Sequence, residues 1–148
     1  MCSSDLRGPR FPDPESDQGL HVVRFLVRPG ASIGDAVALG YELRNPIRPV
    51  GGSGSVTPIV GSSDPAVVIE TVKLAEDGSG DLVVRLYESR GGRAHTTLSF
   101  DGSATAIGCT DLLERPLAGT PTGTGSSIEL PFRPFQLRTV RFRGATAR

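Results

Sequence analysis

The sequence predicts an all-β fold: an antiparallel β-sandwich with one short helix at about residues 33–44. Three observations carry this expectation. Glycine and proline number 19 and 12 among 148 residues, a turn-rich composition short of a low-complexity chain. From Val56 onward, short apolar and β-branched runs alternate with turn signals at the spacing of sandwich strands. Only Ser32 to Asn45 shows the three- and four-residue recurrence of a helix.

The elements follow in order. Met1 to Leu6 reads as a translated sequencing-adapter end, so these six residues are expected to be an assembly scar. Arg7 to Gly19 holds Pro9, Pro12 and Pro14, which forbid helix and central strand, so an extended loop is expected. Leu20 to Arg28 is β-branched and closed by Pro29-Gly30, which reads as a strand. In the helical stretch Ile33, Ala36, Val37, Gly40 and Tyr41 share a stripe. Ser32 caps it, Asp35 completes a capping-box-like pair, and Pro46 stops it. Gly51 to Ser55 is a Gly/Ser linker. Strands are then expected at 56–60, 66–75, 81–88, 93–100, 105–113, 127–130 and 135–142. Glu76–Gly80 and Gly91-Gly92 serve as hairpin loops, and Gly119–Ser126 as a longer loop. Gly144 to Arg148 reads as a frayed polar tail.

Strand alternation assigns faces. Leu82, Val84 and Leu86 share one side, opposite Val83, Arg85 and Tyr87. In the last strand Gln136, Arg138, Val140 and Phe142 oppose Phe135, Leu137, Thr139 and Arg141. Apolar residues on both sides imply a second face covered by a further domain.

Composition excludes several functions. Sixteen basic residues balance sixteen acidic ones, against a nucleic-acid module with its basic patch. No run of eighteen apolar residues is present, so no membrane-spanning helix is expected, and no signal-peptide core is visible. Cys2 and Cys109 make neither a disulfide framework nor a zinc site, which suits a reducing, cytoplasmic setting.

The residues offer no self-sufficient active site. His21 and His95 are far apart, without Cys or Asp at ligand spacing. No Gly-x-Ser-x-Gly elbow opens a helix. Gly51-Gly52-Ser53-Gly54-Ser55 resembles a phosphate loop but lacks the lysine and the following helix. Asp77-Gly78-Ser79-Gly80-Asp81 could suggest calcium, but a hairpin turn explains it. Glu70, Glu88, Asp111 and Glu114 supply carboxylates, yet nothing pairs them at glycosidase separation. Arg85 and Glu70 lie on neighbouring hairpin arms, and a structural ion pair between them is expected. No catalytic, cofactor-binding or metal-binding residue is therefore expected in this chain.

A resemblance goes further. Val67-Val68-Ile69-Glu70-Thr71-Val72-Lys73-Leu74-Ala75-Glu76, Leu82-Val83-Val84-Arg85-Leu86-Tyr87-Glu88 and Cys109-Thr110-Asp111-Leu112-Leu113-Glu114-Arg115-Pro116 closely resemble the C-terminal end of family 38 glycoside hydrolases. The branch is that of the cytosolic and microbial α-mannosidases. Arg7 to Gly19 resembles that family's Pro/Asp-rich segment, Tyr41–Pro46 its "AYxLNxP" segment, and Pro131–Val140 its final strand. These six segments run in family order over about residues 7–143.

The resemblance implies a non-catalytic piece of a larger enzyme. Residues 7–50 would be the remnant of the large mannosidase sandwich, 56–143 the small terminal sandwich, and 144–148 a tail. The parent would be a zinc-dependent, retaining exo-α-mannosidase of mannose and oligosaccharide catabolism. Its zinc ligands, nucleophile and acid/base carboxylate match no position here. The implied partners are the parent's missing catalytic and sandwich domains. Substrate would be met only through them, with no nucleic acid and no membrane, and homo-oligomerisation is compatible. The alternative is a free-standing carbohydrate-binding or structural sandwich. No tryptophan and two tyrosines, Tyr41 and Tyr87, supply little platform for sugar.

Overall fold

In the computed structural model, which describes residues 19–45, 47, 49, 51, 52, 54 and 57–147, one helix precedes seven antiparallel strands. The expected scar at 1–6, Cys2 and nearly all of the loop at 7–19 lie outside the described residues. So do Pro46, Ser53, Ser55 and Val56.

The helix α1 spans Ile33–Arg44, as its periodicity requires. Ser32 Oγ accepts from the Asp35 N–H at 3.2 Å, and Asp35 Oδ2 accepts from the Ser32 N–H at 2.9 Å. These reciprocal bonds satisfy two N–H groups that the first turn leaves unpaired. No residue of α1 is buried, so the cap matters more than packing. Ser32→Ala is expected to weaken the helix by about 1 kcal/mol. Far-UV circular dichroism of the chain would then show lost helical signal with the sheet unchanged.

The strands are β1 (Val60–Ser62), β2 (Val67–Leu74), β3 (Leu82–Glu88), β4 (Ala94–Thr110), β5 (Thr122–Phe132), β6 (Leu137–Arg143) and β7 (Thr146–Ala147). They order as β1-β4-β6-β3-β2, with β5 and β7 also on β4. Strand β4 makes this a sandwich. Its first half pairs with β1 and its second half with β6, while β5 runs beside both halves across register shifts between Ser99, Ala104 and Ile107. Such irregularities bend a strand, and the bend turns the two halves onto a shared core. Leu82, Val84, Leu86, Val140 and Phe142 meet Leu98, Phe100, Ile128, Leu130 and Phe132 there.

Several boundaries differ from the sequence reading. The runs at 93–100 and 105–113 are one strand, because small residues carry the bend. A Cβ on Gly102 would lie 2.2 Å from the Thr146 carbonyl oxygen, so β7 packs directly on bare backbone. That strand occupies part of the expected tail. The Gly/Thr loop is largely the start of β5. The strand expected at 56–60 is displaced: β1 spans Val60–Ser62 and shares only Val60 with that run. Leu20–Arg28 forms no strand among the described residues. Leu20, Val22, Val23, Phe25 and Val27 stand more than seven-tenths exposed.

Candidate functional site on the outer face of the sheet

The outer face of β2, β3, β6 and β4 carries the polar chemistry. Register sets two rows across it. Lys73, Val83 and Arg141 form one, and Thr71, Arg85, Thr139 and Thr110 the other. Val83 is fully buried, so part of this second face is covered from within the chain.

The cover includes the loop after β4. Asp111 Oδ1 accepts from the backbone N–H groups of Leu113 and Arg115, both at 2.9 Å, and its Oδ2 accepts from Arg115 Nε at 2.7 Å. Glu114 sits at φ 66°, a conformation disfavoured for a side chain with Cβ. Its carboxylate holds it there: Oε1 lies 2.8 Å from Lys73 Nζ, and Oε2 accepts from the Glu76 N–H at 2.9 Å. Lys73 also pairs with Glu76. The Lys73 ammonium and that N–H hold the Glu114 carboxyl below its ordinary range, and Glu114 raises Lys73 in turn. Arg85 Nη2 donates to the Leu112 carbonyl at 3.1 Å. The loop thereby presents Leu112, Leu113 and Leu117 to solvent.

The expected Arg85–Glu70 pair does not form. A bulge between Ile69 and Thr71 leaves Glu70 unpaired and sets Thr71 opposite Arg85. Glu70 instead accepts from the Tyr41 hydroxyl, which lies 3.4 Å from that of Tyr87. Burial, then the bond to Glu70, raise the Tyr41 pKa strongly. The chain's two tyrosines thus join α1 to the sandwich.

The Asp77–Asp81 hairpin is filled by a guanidinium. Arg141 donates to Asp81 Oδ2 at 2.7 Å, Asp77 Oδ2 at 2.6 Å and Ser79 Oγ at 3.0 Å, and Gly144 N–H donates to Asp81 Oδ1 at 2.9 Å. Bonds to Ser79 and Arg141 depress Asp77 far below the carboxylate range. Burial pushes Asp81 up, but the Gly144 N–H and Arg141 outweigh it.

Sequence reasoning missed the role of Glu88, which it placed only as a strand end. Glu88 is fully buried. Its carboxylate accepts backbone N–H bonds from Arg90 at 2.8 Å and from Gly91 and Phe135 at 2.9 Å. The Phe135 bond leads in holding its pKa down. The adjoining Ser-Arg-Gly-Gly turn was the available signal, since a tight turn leaves N–H groups that need an acceptor.

His95 is exposed, 4.0 Å from Glu129. His21 is exposed on the 20–28 segment. Cys109 is a buried free thiol with Arg138 Nη1 at 3.9 Å. Gly51, Gly52 and Gly54 are exposed and lie in no helix or strand. Among the described residues no three His, Cys, Asp or Glu side chains converge for a metal ion, and the most clustered carboxylates already hold Arg141. These residues do not fit zinc. No helix among them is long and apolar enough to cross a membrane.

Comparison with known proteins points one way. The family model described as "Glycosyl hydrolases family 38 C-terminal beta sandwich domain" matches residues 66–140. The chain is 34% identical over 150 residues to alpha-mannosidase 2C1 of Homo sapiens, covering 95% of this chain and 14% of that protein. It is 29% identical over 153 residues to alpha-mannosidase G of Dictyostelium discoideum, covering 93% and 14%. The alpha-mannosidase of Saccharomyces cerevisiae is 28% identical over 167 residues, covering 95% and 15%. The chain thus spans 14–15% of the length of the curated relatives it matches.

Proposed function

The chain belongs to the family of glycosyl hydrolase family 38 C-terminal β-sandwich domains, and we propose that it is the non-catalytic C-terminal part of an α-mannosidase. One observation carries this reading. The family match falls within a core that closes on itself, from Val60 to Phe142, whereas the preceding Leu20–Arg28 segment and α1 bury no large apolar side chain. That contrast supports a small sandwich complete in itself (about 56–143). It is preceded by a remnant (about 7–50) whose sheet belongs to a larger sandwich of the parent, with 51–55 as the join.

The parent on this reading is a cytoplasmic exo-acting retaining enzyme that removes terminal α-mannosyl residues. Its zinc and its reacting carboxylates lie in the parent's own catalytic domain, and α-mannoside is met only there. The role of residues 56–143 is to support that domain by packing.

Purified residues 1–148 are expected to leave an aryl-α-mannoside intact over an extended assay, with or without added zinc. Zinc-stimulated release of the aryl group that co-purifies with the chain would overturn the reading. The DNA upstream of Arg7 gives an independent check: an open frame continuing into a metal-binding α/β domain is expected, and a promoter with its own start codon there would refute it.

A further inference from the structure

Three polar atoms of the Thr71–Arg85–Thr139–Thr110 row are buried with no hydrogen-bond partner among protein groups: Arg85 Nε, Thr139 Oγ1 and Thr110 Oγ1. They belong to consecutive register partners on β3, β6 and β4. Thr139 is 2% exposed and Thr110 5%. Buried donors and acceptors rarely go unpaired, because each orphan carries its full desolvation penalty. Three in a line mark a built site.

Charge identifies the ligand. A cation is excluded by Arg85 Nε, which can only donate. On this face Lys73 pairs with Glu76 and Glu114, and Arg141 with Asp77 and Asp81, so even with Arg85 the acidic groups outnumber the basic ones and an anion gains nothing. A neutral molecule that both donates and accepts remains. Residues directly opposite on neighbouring strands have Cβ atoms about 4.5–5.5 Å apart, so one small molecule can reach polar atoms on both. A cavity of about 260 Å³ adjoins the row, lined by Thr110, Pro116, Leu117, Thr120, Thr122 and Arg141 among others, and gives a route in.

We propose that ordered water occupies this seam, accepting from Arg85 Nε and bridging the Thr139 and Thr110 hydroxyls. The Asp111–Leu117 loop is then fastened partly through water, since the same guanidinium donates to the Leu112 carbonyl.

The test turns on a sign. Thr139→Val keeps the shape and removes the hydroxyl. If the hydroxyl were dry and unpaired, valine would raise the unfolding midpoint; if water bridges it, valine strands that water and lowers the midpoint. Magnetic relaxation dispersion of water oxygen on the 148-residue chain counts long-lived internal waters directly. The wild type is expected to hold at least one more than Thr139→Val, and Thr139→Ser is expected to keep the wild-type count. An equal count in the valine variant, or a raised midpoint, overturns the proposal. Absence of any long-lived water in the wild type overturns it whatever the variants do.

Discussion

Replacing Phe142 with alanine is expected to lower the stability of the chain by about 3–5 kcal/mol. Phe142 is fully buried on β6, with Leu82 and Ile107 as its register partners on the flanking strands. Its ring lies 5.5 Å from that of Phe100, tilted by 52°, an arrangement that favours aromatic pairs. Removing it opens a cavity where both halves of β4 meet the central strands. A domain of this size has only about 5–15 kcal/mol of net stability, so the variant is expected to be partly unfolded in mild urea. Phe25→Ala supplies the contrast. Phe25 is 83% exposed, and its loss is expected to shift stability by less than about 0.5 kcal/mol. Urea titration of both variants checks the pair of expectations. A large effect at Phe25 would contradict the exposure of its ring.

Glu88→Gln is the second large expectation, and it has a pH signature. The carboxylate ties the turn after β3 to the turn before β6 through three backbone N–H groups. Glutamine keeps one acceptor oxygen and directs an amide N–H₂ at donors. The unfolding midpoint is expected to fall well below wild type near neutrality. The sign with pH follows from the depressed pKa of Glu88. A carboxyl with a folded pKa below its unfolded value stabilises fully above the unfolded value, and that contribution fades as pH falls through the folded value. The gap between wild type and Glu88→Gln is therefore expected to be widest above about pH 5 and to narrow below about pH 4. Asp77, Asp81, Asp111 and Glu114 shift in the same direction, so the wild type also loses stability with acid. Melting curves from neutral pH downward read both effects, and a gap that stays constant would deny Glu88 its role as a charged acceptor.

The legible parts of the fold were those in which local chemistry decides. Helix α1 followed from Ser32, Asp35 and the three- and four-residue stripe, all within one stretch. Strands β2, β3 and β6 followed from β-branched alternation, which the buried Leu82, Val84 and Leu86 bear out. The illegible parts were decided by neighbours distant in sequence. Gly102 looks like a turn until Phe100 and β7 are seen to need the space it leaves. Gly123 and Gly125 look like loop until β4 supplies their partners. One unpaired residue, Glu70, moved the partner of Arg85 and dissolved an ion pair that sequence position alone favoured. Leu20–Arg28 has the composition of a strand, but composition cannot supply an edge to pair with. Of the polar clusters, the carboxylates were visible as residue types. Their hold on Arg141, on Lys73 from Glu114 and on the Phe135 N–H was not, because those partners lie dozens of positions away in sequence and arrive only with register.

Strand β6 carries a consequence for how the molecule assembles. It is laid down last among the long strands, yet it sits between β3 and β4 at the centre of the sheet. Before it docks, the β2–β3 hairpin can form from adjacent residues, but its Asp77–Asp81 turn lacks Arg141 and β3 lacks its second neighbour. Contacts of such long sequence separation slow folding. A chain emerging from the ribosome therefore holds an open, half-covered core until Leu137–Arg143 is free, and a stop codon ahead of Leu137 would leave the whole sandwich without its central strand.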